Sequence, residues 1–99
     1  MLIIFEMILN RGVDGSIKRL FFCNNEENRN IFLKQIEDEI LDELKSSLLN
    51  ENNKDLINFY SNIYYESYSQ ILAMKSDFLR YGQSKYGLTS LLVEERVVI

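Results

Sequence analysis

The sequence predicts an α+β domain: a small antiparallel sheet (an N-terminal hairpin plus a C-terminal strand, in ββααβ order) packed by two helices. Three observations lead there. Both ends of the chain hold short runs rich in β-branched and aromatic residues, and the middle holds two long apolar stripes at helical spacing. The whole is 99 residues, which is one domain, spanning 1–99, since a second would leave neither with a sufficient core.

The first strand is expected over Leu2 to Leu9. One pleat face carries Ile3, Phe5, Met7 and Leu9 and the other Leu2, Ile4, Glu6 and Ile8, so both are largely apolar. That suits a strand covered on both sides or placed centrally. A turn lies within Asn10–Gly15, where Asp14-Gly15 is a favoured type I′ pair. A strict two-residue turn would set Arg11 opposite Lys18, a like-charge pair that a longer loop avoids. The second strand is Ser16 to Cys23.

Asn24 and Asn25 are N-cap candidates, and Glu26 and Glu27 suit the positive end of a helix dipole. The first helix is expected from about Glu26 to Leu49, with Phe32, Leu33, Ile36, Ile40, Leu41, Leu44 and Leu48 on one face. Asn50–Asn53 is the linker. The second helix spans about Lys54 to Tyr81, a rod of about 40 Å. Its main stripe and the row beside it cover an arc of about 200°, too wide for one neighbour, so it must touch two surfaces. Gly82 is a natural helix-ending residue, Gly87 punctuates the following loop, and Ser90 to Ile99 reads as a third strand.

Composition narrows function by exclusion. There is no histidine, no tryptophan and one cysteine, Cys23, which removes Ser-His-Asp and Cys-His machinery, His-based metal sites and any intrachain disulfide. Cys23 follows two phenylalanines and reads as a buried structural thiol. Glu6, in an apolar strand, is the one carboxylate that burial would perturb, and it has no second group beside it. The four glycines form no phosphate-binding fingerprint. No catalytic residue, metal or cofactor is expected, and the chain reads as not an enzyme. No segment is apolar enough to span a membrane, and the opening run, interrupted by Glu6, reads as a strand rather than a signal peptide. The unpaired thiol suits the cytoplasm. The abundance of Asn, Ile, Lys and Tyr with a single alanine fits an AT-rich bacterial, phage or plasmid genome.

Two features stand out as binding candidates. The formal charge of −4 is concentrated on the first helix and its flanks, most densely at Glu37–Glu39 and Asp42-Glu43. Asp38/Asp42 and Glu39/Glu43 are like-charge pairs one turn apart, which a helix does not need. A solvated face explains them, as does an anionic surface for a basic partner. Tyr60, Tyr64, Tyr65 and Tyr68 fall within nine residues; Tyr64, Tyr65 and Tyr68 are either packing residues or a hot-spot face for another protein or a second copy. Arg11, Lys18 and Arg19 near the hairpin and Lys75, Arg80 and Lys85 near the end of the second helix are the sparse basic residues. With a pI near 4.8, nucleic acid is a poor default partner.

The profile of small size, acidity and missing catalytic residues resembles that of phage- or plasmid-encoded inhibitors, including anti-CRISPR and other anti-defence proteins. The resemblance implies a protein-binding module that blocks a basic nucleic-acid-binding surface of its target, in the cytoplasm of a bacterial host. Asp38, Glu39, Asp42 and Glu43 would make the contact. The alternative is a homodimer assembled through the Tyr-rich second helix, and after it a small nucleic-acid-binding regulator.

Overall fold

A computed structural model describes residues 2–98. The elements in chain order are β1 (Leu2–Asn10), a 3₁₀ turn (Gly12–Asp14), β2 (Ser16–Phe21), α1 (Glu26–Leu48), α2 (Lys54–Tyr81), β3 (Gln83–Tyr86) and β4 (Thr89–Val98). The four strands form one antiparallel sheet in the order β2-β1-β4-β3. The architecture is α+β as expected, with one strand more than the sequence suggested. The expected position of Ile99 on the last strand lies outside the described residues.

The added strand is β3. Gln83-Ser-Lys-Tyr86 has no apolar alternation, so nothing in its side chains marks a strand. It forms because Gly82 ends α2 and the backbone turns directly onto β4, with Tyr86 opposite Thr89. Gly87, at φ +61°, takes the first position of the two-residue connection, where type II′ hairpins need glycine. The β1–β2 connection is the longer loop: Asn10 pairs with Ser16, and Lys18 faces Ile8 instead of Arg11. The Asn10 Oδ1 accepts from Gly12 N–H at 2.9 Å, and Arg11 N–H donates to the Gly15 carbonyl at 2.9 Å.

Strand β1 is central, yet the helices cover only one of its faces. Met7 and Leu9 join Ile17 and Leu91 in a core completed by Phe32, Leu33, Ile36 and Ile40 of α1 and Ile71, Met74 and Phe78 of α2. On the other face Ile8 is buried between its cross-strand neighbours Lys18 and Leu92. Glu6 and Glu94 stand directly opposite each other there, a repulsive pairing. Arg96 bridges both, at 2.8 Å to Glu6 and 3.2 Å to Glu94. Its hydrogen bond to Glu6, and then the Glu6 charge, raise the guanidinium pKa above its ordinary value. Glu6 is therefore half of an ion pair rather than an isolated acid.

Cys23 is exposed, contrary to the expected buried thiol. Strand β2 stops at Phe21, two residues short of the expected end, and the chain leaves the sheet before Asn25 caps α1. The Asn25 side chain accepts from Asn28 N–H, while the Asn28 amide donates to the Cys23 carbonyl at 2.9 Å. Asn53 caps α2 in the same way, accepting from Asp55 N–H at 2.9 Å and Leu56 N–H at 3.4 Å.

At the far end of α2, Gly82 adopts φ +75° and its N–H donates to the Phe78 carbonyl. A Cβ at Gly82 would stand 3.5 Å from Arg29 Nε. The added methyl group fits, but the left-handed backbone disfavours any L side chain. Gly82→Ala is expected to lower stability by about 1–2 kcal/mol, with Gly82→Asn closer to wild type, read as urea midpoints at constant slope.

Candidate protein-binding groove

Burial along α2 divides the helix in two. All of its fully buried side chains, Ile71, Met74 and Phe78, lie in its C-terminal half. In α1 the last buried residue is Ile40, eight positions before the helix ends. The end of α1 and the start of α2 therefore project past the sheet as a helical hairpin, and the molecule measures 53 × 25 × 23 Å. The wide apolar arc predicted for α2 is fully buried only along the second half; in the first half Ile57, Tyr60 and Tyr64 are half-buried, with Tyr64 packed on the core. On the projecting half Leu56, Phe59 and Ile63 stay exposed, as does Leu49 in the linker.

Beneath this overhang lies a groove of about 740 Å³, within the size range of binding pockets. One wall is helical: Leu44 and Ser47 of α1, with Tyr60, Ile63, Tyr64 and Ser67 of α2. The other wall comes from the two sheet connections, with Val13 and Asp14 in one and Gly87 and Leu88 in the other, and from Tyr86 at the end of β3. Val13 and Leu88 are 104% and 88% exposed, so two apolar loop tips stand free at the same mouth.

Two polar links hold the walls in position. Arg11 donates both guanidinium NH₂ groups to Glu43, at 3.1 and 3.3 Å, joining the hairpin loop to α1. Thr89, the buried polar residue of β4, donates from Oγ1 to Gln70 Oε1 at 2.9 Å, joining β4 to α2. The Arg11 Nε–H is buried and has no acceptor among the described residues. Three carboxylates line the groove, those of Asp14, Glu43 and Glu66, against the single guanidinium of Arg11.

The predicted acidic face is divided in its roles. Glu39 pairs with Arg19 and Glu43 with Arg11, so both tether α1 to the β1–β2 hairpin. Asp38 and Asp42 border a shallow hollow with Glu39, Gln35 and Arg19, and they make no ion pair among the described residues. The ion pairs also commit Arg11 and Arg19, two of the three hairpin bases, while the Arg80 guanidinium lies 5.5 Å from the centre of the Tyr81 ring.

The tyrosines separate as well. Tyr64 packs on the core and lines the groove. Tyr68 is half-buried and stacks on Tyr64 at 6.1 Å and 22°. Tyr65 is 65% exposed and meets Tyr64 edge to face. The groove thus unites Tyr64 and Glu43 from the predicted set with Arg11, noted in the sequence only as one of the hairpin's basic residues, and with residues that carried no signal there: Glu66, Tyr86 and Leu88. Only the β4 register, with Ser90 opposite Asn10 and Thr89 opposite Tyr86, brings both sheet connections to the same end.

Among the described residues no group of three or more His, Cys, Asp or Glu side chains is placed to hold a metal ion, and no helix is long and apolar enough to cross a membrane. Comparison with known proteins finds no matching family model, no similar curated protein and no similar solved structure.

Proposed function

We propose that this protein is a non-enzymatic protein-binding module that engages its partner through the projecting helical hairpin and the groove beneath it. The observation that supports this reading most is the unburied half of α2. Its N-cap is fully formed, yet it holds Leu56, Phe59 and Ile63 in water. Contiguous exposed apolar surface marks interaction sites, and Tyr and Arg, both present at the groove, are the residue types enriched at binding hot spots.

Asp38 and Asp42 favour a partner with a basic surface, because neither is occupied by an ion pair among the described residues. An inhibitor that covers a basic nucleic-acid-binding surface, of the anti-defence kind, is the form of the reading this strip supports. With the partner captured from the native host, Asp38→Asn/Asp42→Asn is expected to slow association several-fold at low salt, and much less at high salt. Equal association rates for wild type and variant at low salt would remove the acidic contact and leave the apolar one.

A second reading, a homodimer through α2, draws on a different flank. Tyr65 and Leu72 are exposed about two turns apart, on the side of the helix that also carries Tyr68 and Leu79. A wild-type dimer at tens of micromolar in sedimentation, converted to folded monomer by Tyr65→Ser/Leu72→Ser, would favour that reading.

A further inference from the structure

We infer that the groove receives a short apolar peptide segment carrying a lysine or arginine. The inference rests on the protein-binding reading and adds to it the site and the chemistry of the occupant. Leu44 and Ile63 on the helical wall and Leu88 on the loop wall offer apolar contact from both sides. Both walls are pinned, by Arg11–Glu43 and by Thr89–Gln70, so a ligand would meet a formed site rather than having to organise one.

Charge selects the occupant. Arg11 is matched by Glu43, which leaves Asp14 and Glu66 as lining carboxylates without an ion-pair partner among the described residues. A basic side chain in the groove is favoured by these unpaired negative charges, whereas an acidic segment is repelled.

The test is a fluorescence-anisotropy screen of capped decapeptides combining Leu or Phe with Lys or Arg, against the same peptides with Glu in place of the basic residue. Amide shift mapping of the best binder then locates it. Basic peptides are expected to bind and to shift the amides of Tyr64–Gln70 and Gly87–Leu88. The Asp14→Asn/Glu66→Gln variant should weaken binding about tenfold at low salt, and the Glu-substituted peptides should fail to bind. Three results would overturn the assignment: no binding by any basic peptide, equal binding of both charge forms, or shifts confined to the outer face of α1 and abolished by Asp38→Asn/Asp42→Asn. The third would leave the protein-binding reading standing with its site moved. The broader reading has its own test, crosslinking from the helical hairpin to a native partner, and it fails there independently of any peptide.

Discussion

Phe32→Ala is expected to lower the unfolding free energy by about 3–5 kcal/mol, the usual cost of emptying a fully buried aromatic site. Phe32 is completely buried in α1. Its ring meets Phe21 of β2 edge-on at 6.3 Å and Phe78 of α2 at 6.1 Å, so one side chain joins the sheet to both helices. Because the three elements meet there, the cavity cannot close by moving one of them alone. Domains of this size have a total stability of about 5–15 kcal/mol, so the variant should be near its limit at 37 °C. Chemical denaturation at 25 °C measures the loss. A cost under about 1 kcal/mol would mean that Phe32 is not the junction of the core.

Arg29→Met is expected to cost about 2 kcal/mol although it removes no core side chain. The Arg29 Nε–H donates to Asn24 Oδ1 at 2.8 Å, and its terminal NH₂ donates to the Leu79 carbonyl at 2.7 Å. Leu79 lies in the last turn of α2, where carbonyls lack helical partners and carry the negative end of the dipole. One guanidinium thus joins the entry to α1 to the exit of α2. A hydrogen bond to a charged group contributes about 1.5–3 kcal/mol when its partner would otherwise go unsatisfied. Methionine keeps most of the packing and loses the donors. Arg29→Lys should recover part of the loss, and hydrogen exchange should quicken first in the last turn of α2 and in β3.

The elements that bury side chains were legible in the sequence. The limits of α2 follow from Asn53 and Gly82, and the core stripe of α1 from Phe32 to Ile40 is the predicted one. Strand β3 was not, because a four-residue polar edge strand is held by backbone pairing and its side chains record nothing. The acidic face was legible as charge but not as role. Glu39 and Glu43 point to basic residues of the hairpin more than 15 positions away, and no local spacing reveals such partners. The groove was half legible: Tyr64 belongs to a visible cluster, while Tyr86 and Leu88 reach it only through the pairing of β4 with β1 and β3. The α2 arc called for two covering surfaces, and its second half has them. That its first half is covered only in part, with Leu56, Phe59 and Ile63 left exposed, follows from a sheet shorter than the helix.

That the exposed apolar row on the first half of α2 meets a partner is the central claim, and photocrosslinking in the native host tests it most directly. A photoreactive phenylalanine analogue would replace Ile63, at the groove and on the projecting half, and in a control would replace Asp77, an exposed position on the packed half of the same helix. The expected result is one discrete crosslink to a foreign protein from position 63 and none from position 77. A crosslink from position 63 only to a second copy of this chain, or equal and diffuse labelling from both positions, would contradict the account.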